Sequence, residues 1–295
     1  MTEAGSPCVV CGSVAQRRAR VRLRYGTIFE CAGCGTGLLE PRPTAAGLSA
    51  LHSEEAYFSH PYFEDRRELT AAMRASSEAK LSRIEARVGS LAGKTLVDVG
   101  CDLGVLGAYA TESRGMTAIG IDIIAKVVEI GRAAGRDLRH GTLESVALPS
   151  GSADLICGFD LIEHVDDPRG LAREAWRVLK PGGVLALETP NYNGLVYRIG
   201  RWLGGAPGLA SVIAGLQERL WPPFHVQYFT ADSLRNVLDG AGFADVKVQG
   251  RELDTSELAV SSPVLRAAVL SVFAAARVTG SATLLTAIAR KPRQR

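Results

Sequence analysis

The chain has 295 residues, 46% of them hydrophobic and 22% charged, with a formal net charge of +3. This is ordinary for a globular chain of one large or two modest domains that buries a full core, and the charge is too mild to argue for nucleic acid by itself. No stretch reaches the ~18 uninterrupted apolar residues of a membrane span. Pro263 to Gly280 comes nearest and is broken by Arg266 and Arg277. The first residues lack a basic region followed by an apolar core, so a cytoplasmic protein without a transmembrane segment is expected.

Cys8-x-x-Cys11 and Cys31-x-x-Cys34 stand nineteen residues apart, the spacing of a four-cysteine zinc site. Gly12 and Gly35 each follow a second cysteine and let the chain turn so that backbone N–H groups point at thiolate sulfur. Two disulfides, the other reading, fit poorly without a secretion signal. All four positions are cysteine, so no ligand place is left for water and the zinc is read as structural. Between the pairs, Arg18, Arg20, Arg22 and Arg24 alternate with Ala19, Val21, Leu23 and Tyr25, a strand with one basic face. That face is either solvated or a contact for RNA, an anionic substrate or a partner. Leu39-Glu-Pro-Arg-Pro43 closes the ribbon, taken as residues 1–43.

Residues 44–92 read as a linker and a covering helix. Tyr57, Phe58, Tyr62 and Phe63 cluster around Pro61, and Leu69, Met73, Leu81, Ile84 and Val88 fit a helix from Arg67 to Val88 that stops at Gly89. Residues 93–295 then alternate. Strands are expected at 94–99, 117–122, 136–140, 153–158, 183–189, 244–249 and 282–290, and helices at 104–114, 124–134, 168–179 and 231–241. Alternation of this kind predicts an α/β sheet with helices on both faces. Two apolar insertions remain, at 193–224 and 256–280. They are too apolar to sit in water alone. Roofing a substrate pocket, pairing into a homodimer and resting on a membrane surface are all open.

The stretch Thr95-Leu-Val-Asp-Val-Gly-Cys-Asp-Leu-Gly104 runs an apolar strand into a glycine-bearing turn that opens a helix, the layout of a nucleotide loop. Asp122 ends the next strand, 22 residues after Gly100, where a carboxylate can accept both ribose hydroxyls. The dinucleotide fingerprint is absent, because Asp102 stands where its second glycine would fall and would repel a pyrophosphate. An acid there suits a ligand carrying ammonium or sulfonium charge. No Tyr-x-x-x-Lys pair supports a nicotinamide enzyme.

Asp98-x-Gly100-x-Asp102-x-Gly104 resembles the first motif of class I S-adenosylmethionine (SAM)-dependent methyltransferases. Asp122 matches their ribose acid, and Gly141-Thr-Leu-Glu144 falls where the family touches adenine. Phe159-Asp-Leu-Ile-Glu-His-Val165 is similar to the segment after the fourth strand, and Lys180-Pro-Gly-Gly-Val-Leu-Ala-Leu-Glu-Thr-Pro-Asn191 to the turn and fifth strand. Phe229-Thr230, Leu234 and Ala241-Gly-Phe243 resemble the helix and strand near the family's C-terminus. The resemblance covers roughly residues 93–292. It implies a Rossmann-like seven-stranded sheet, the last strand antiparallel, preceded here by the small zinc ribbon. It also implies a SAM site built from Asp98, Gly100, Cys101, Asp102, Gly104, Asp122, Ile123, Thr142, Leu143 and Asp160. Asp102 departs from the usual glycine, which bears on the geometry around the methionine moiety.

Methyl transfer to a hydroxyl needs a proton acceptor. The candidates are His225, His164, Glu163 and Asp160. Asp160-x-x-Glu163-His164 is similar to the Glu-x-x-Glu-His run of ubiquinone-pathway O-methyltransferases, so Mg²⁺ at Asp160, Glu163 and His164 is one expectation. His164 as base, and a packing or cofactor-shaping role, are the others. The resulting reading is a SAM-dependent methyltransferase that transfers the methyl group to a small-molecule acceptor, at a hydroxyl of a sugar, phenol or biosynthetic intermediate. The alternatives are an RNA methyltransferase that binds RNA through its ribbon and a non-enzymatic assembly subunit.

Overall fold

A computed structural model describes residues 7–44, 47, 69–204, 220–252 and 263–293. Tyr57, Phe58, Tyr62 and Phe63, and Leu209, Ile213 and Leu216 of the first insertion, lie outside the described residues.

The N-terminal ribbon is a meander of β1 (Arg17–Leu23), β2 (Gly26–Cys31) and β3 (Gly37–Glu40). Its arginines face water as the alternation predicts. Arg20, however, grips Glu30 with two bonds of 3.1 and 2.6 Å, so the basic row is partly neutralised within the ribbon.

Helix α1 (Ala71–Val88) starts later than the expected residue 67, because Thr70 caps it by accepting from the Met73 amide. The sheet that follows has seven strands: β4 (Thr95–Val99), β5 (Thr117–Asp122), β6 (Leu138–His140), β7 (Ala153–Phe159), β8 (Leu179–Pro190), β10 (Ala244–Arg251) and β11 (Leu284–Arg290). Their spatial order is β10-β11-β8-β7-β4-β5-β6. β11 runs antiparallel to both neighbours and the other recorded pairings are parallel, as expected of this architecture. Helices α2 (Val105–Arg114), α3 (Ala125–Ala133), α4 (Pro168–Val178) and α6 (Ala231–Gly240) fill the crossovers.

Each central strand serves two cores by the period of two. Leu96 and Leu155 pack with Leu81, Ile84, Leu106 and Met116 under α1 and α2. Val97, Val99 and Ile156 pack with Leu171, Ala175, Leu234 and Val237 under α4 and α6. Cys101 and Cys157 are buried, and burial pushes both thiols up, so they are packed rather than reactive groups.

The insertions contribute α5 (Leu195–Gly204) and α7 (Pro263–Thr279), which pack on each other. No described helix is long and apolar enough to cross a membrane.

The covalent boundary near residue 43 is not a packing boundary. A short strand from the C-terminal part of the chain, β9 (Gln227–Tyr228), adds to the ribbon sheet beside β3, giving the order β1-β2-β3-β9. Cys8, Val10, Cys31 and Leu38 belong to the same buried cluster as α4 and α6. Ribbon residues Val21, Ile28 and Leu39 enclose Tyr192, Tyr197, Trp221 and Tyr228.

Candidate active site and cysteine cluster

Open parallel sheets bind ligands outside the carboxyl ends of their strands, where the strand order reverses. Here that place is the gap between β4 and β7. The chain turns out of β4 through three left-handed residues, Gly100 (φ 69°), Asp102 (φ 53°) and Gly104 (φ 77°). A Cβ on Gly104 would stand 2.7 Å from the buried Leu138 side chain, so both its φ and its space require glycine. The Gly100 and Cys101 amides donate to Ile121 O at 2.8 and 3.1 Å.

Asp122 braces this loop. Its Oδ2 accepts from the Asp102 amide at 3.0 Å and its Oδ1 from the Ile124 amide at 2.9 Å. Asp102 therefore keeps a left-handed turn whose N–H points at Asp122. Ile123 beside it is 48% exposed, an unusual state for isoleucine that leaves an apolar face at the loop. Thr142 is exposed, whereas Leu143 is fully buried and Cys101 nearly so. Neither of the last two offers its side chain to a ligand, so their only reach is through the backbone.

Asp98 faces the α1 side and is 5% exposed. Burial pushes its carboxyl up to about 7, and the charges of Asp122 and Asp102 push the same way, while Lys80 opposes them. Lys80 lies on α1 with its Nζ 4.7 Å from the centre of the Phe159 ring. This residue escaped sequence reasoning. It sits in a run of mixed polar residues, and only the packing of α1 against the strand ends puts a cation opposite Asp98. The nearby buried Glu188 is already answered by Arg251, through bonds of 2.8 and 2.6 Å.

Past β7 the chain turns at exposed Asp160 (φ 51°) and buries Glu163, which is 1% exposed. Glu163 Oε2 accepts from Thr189 Oγ1 at 2.8 Å, while Oε1 is buried with no hydrogen-bond partner among the described residues. Burial first, then the charge of Asp160, pushes this carboxyl well above the usual range. His164 donates from Nδ1 to Phe224 O at 3.1 Å, which fixes its tautomer. Its ring meets His225 edge-on at 4.7 Å between centroids. Ligating atoms of Glu163, His164 and His225 lie within 4.8 Å of one another. The trio of Asp160, Glu163 and His164 is thus corrected by the fold. Asp160 is exposed, and among the described residues the cluster is Glu163, His164 and His225.

At the other end of the ribbon the four cysteine sulfurs also lie within 4.8 Å of one another. Cys8 and Cys34 are 3.9 Å apart and Cys11 and Cys31 3.8 Å apart, and all are free thiols rather than disulfides. Four thiolates around a zinc ion at about 2.3 Å define a tetrahedron with edges of about 3.8 Å, so the cluster fits that ion. The two turns repeat each other: the Gly12 amide donates to Cys8 O at 2.7 Å and the Gly35 amide to Cys31 O at 2.8 Å.

A seven-stranded sheet of this order, a glycine-acid loop after its first catalytic-half strand and a ribose-type acid on the next define a class I SAM-dependent methyltransferase. Residues 62–248 match the Methyltransferase domain family, and the chain belongs to it. It is 32% identical over 154 residues to a probable S-adenosylmethionine-dependent methyltransferase of Mycolicibacterium smegmatis, covering 52% of each chain. It is 33% identical over 157 residues to a ubiquinone biosynthesis O-methyltransferase of Pseudomonas paraeruginosa, covering 50% of this chain and 66% of that one. The matches therefore span about half to two thirds of these curated relatives. A SAM complex of Haemonchus contortus phosphoethanolamine N-methyltransferase 2 shares the fold, with a TM-score of 0.57 at 13% identity over 87% of this chain and 62% of that one.

Proposed function

We propose that this methyltransferase acts on a hydroxyl of a small molecule, such as a sugar, a phenol or another biosynthetic intermediate. The observation that carries this reading is the pair of imidazoles, His164 and His225, gathered over the buried Glu163 beside the strand ends that hold the cofactor loop. Similarity to ubiquinone biosynthesis O-methyltransferases supports an oxygen acceptor.

SAM supplies an electrophilic methyl group on a sulfonium. The chain aligns donor and acceptor and moves one proton. In this reading Asp122 holds the ribose hydroxyls and Ile123 lies against the adenine, with backbone from Thr142 and Leu143 at its edge. Gly100 and Gly104 let the loop approach the methionine moiety. Asp98 receives the ammonium and Lys80 the carboxylate, one opposite charge for each end of a zwitterion. His225 takes the acceptor's proton, with Glu163 and His164 gathered beside it. A second reading rests on the lone buried Glu163 Oε1: a divalent cation held by Glu163, His164 and His225 would lower the acceptor hydroxyl's pKa.

Zinc in the four-cysteine cluster is the reading its sulfur spacing supports, and thiols kept at metal spacing suit a reducing cytoplasm. Trp202 of α5, 74% exposed, supports a homodimer through the apolar insertions. The RNA alternative is weakened by the pairing of Arg20 with Glu30 inside the ribbon.

Calorimetric titration of S-adenosylhomocysteine, with Asp122→Ala as control, tests the cofactor site. Micromolar binding that disappears in the variant supports it, and equal binding by both proteins removes Asp122 from it. On an acceptor that the wild type turns over, near-normal activity of His225→Ala would sink the proton-transfer role.

A further inference from the structure

We propose that Arg42, the residue that ends the ribbon between Pro41 and Pro43, is a positioning residue of the acceptor side. It ties the segment bearing Glu163 and His164 to the segment bearing His225, and so makes the ribbon a wall of the reaction site. This rests on the reading of the two histidines as acceptor-side groups.

The two segments are far apart in sequence and carry one imidazole each. Arg42 reaches both. Its Nη2 donates to Val165 O at 3.2 Å, Asp166 O at 2.8 Å and Gln227 Oε1 at 3.0 Å, and its Nε to Asp166 Oδ1 at 3.4 Å. Gln227, fully buried, passes the link on: its Nε2 donates to Ile162 O at 2.7 Å and Val165 O at 2.8 Å. The backbone completes the joint. Glu163 O accepts from the Val226 amide at 2.9 Å and the Gln227 amide at 3.3 Å, and Val226 O accepts from the Leu39 amide of β3 at 3.1 Å. One guanidinium thus closes a ring of contacts from the last ribbon strand, through β9, to the loop after β7.

The cation is an expensive choice for this place. Its side chain is 25% exposed, and its nearest carboxylate, on Asp166, is itself 50% exposed. Three neutral oxygens converge on Nη2 while Nε takes the Asp166 carboxylate, so the rigid plane of the guanidinium sets the direction of both contacts. Arg42 touches neither the cofactor loop nor Asp122, so its effect is confined to the acceptor side.

The test is heteronuclear NMR of the histidine rings in the intact chain, wild type against Arg42→Ala, with His140 at the far edge of the sheet as internal reference. The expected result is displaced ring signals for His164 and His225, an unmoved His140, and S-adenosylhomocysteine affinity within about twofold of wild type. Amides of Val226 and Gln227 should exchange about tenfold faster, with β4 and β5 unchanged. Superimposable His164 and His225 signals would overturn the proposal. So would a change in all three histidines together with loss of ligand binding, which reports general destabilisation. Arg42→Gln keeps a polar tip without the fork or the charge and carries the same reading if the alanine variant does not fold. Retained turnover in His225→Ala would count against the proton-transfer role and leave these ring shifts to be read as they stand.

Discussion

Ligand affinity at the cofactor loop should depend on pH through Asp98. The carboxyl is 5% exposed, and burial, reinforced by Asp122 and Asp102, pushes it up to about 7. In the ligand-free protein it is therefore about half protonated at neutrality. A ligand ammonium needs it ionised, so binding must expel the proton. With a midpoint near 7, the ionised fraction is about 0.9 at pH 8 and about 0.1 at pH 6, which makes binding about tenfold weaker at pH 6, or about 1.4 kcal/mol. The sign for stability is opposite. A carboxyl whose folded pKa is raised binds its proton more tightly in the native state. The ligand-free protein should therefore lose stability as pH rises from about 4 through about 7, and the ligand should stabilise it most above that range. Titration of S-adenosylhomocysteine at pH 6, 7 and 8, in buffers of different ionisation enthalpy, reads affinity and proton release together. Asp98→Asn should bind weakly and without this pH dependence. A wild-type affinity constant within twofold over this range, with no proton released, would refute the argument.

Lys80→Gln should weaken the same ligand about tenfold, the scale of one charge-assisted hydrogen bond. It should also move the pH midpoint upward, since Lys80 is the group that opposes Asp98 protonation; an unchanged titration would remove Lys80 from the site. Gly104→Ala should destabilise the fold by about 2 kcal/mol, from left-handed strain at φ 77° and a clash with Leu138, and urea denaturation would show otherwise if the loss were under about 0.5 kcal/mol. Arg251→Met leaves Glu188, 2% exposed, without its two-pronged partner and should cost about 3 kcal/mol. Adding Glu188→Gln should restore part of that loss, and a double variant no more stable than the single one would contradict the assignment.

Much of the cofactor half was legible because its signals are local. An apolar strand of five residues, a left-handed turn and a carboxylate on the next strand are each written within a few positions. The cysteine spacing is legible for the same reason, since four sulfurs on two short turns need no distant register to meet. The helices of the insertions could be read only as apolar, because which face each buries depends on the other. Leu143 is expected at the adenine by its place in a motif, and the fold spends its side chain on the core, which leaves its backbone for that contact.

What the sequence withheld lies in contacts between distant segments. Asp160 and His225 were both plausible companions for Glu163 and His164. Asp160 is left exposed, and β9, by pairing with β3, holds the segment that bears the other. That pairing is long-range: Leu38 lies opposite Gln227, and nothing in a two-residue strand announces its partner. The same register decides what the ribbon is for. Read along the chain it is an appendage with its own metal site. Read through β3, Arg42 and Gln227, it is part of the surface that sets the distance between two imidazoles. Disruption of the cysteine cluster, as by Cys8→Ser, should therefore be felt first at His225 and only later at Asp98, because β9 is joined to the ribbon by its backbone while β4 lies in the interior of the seven-stranded sheet.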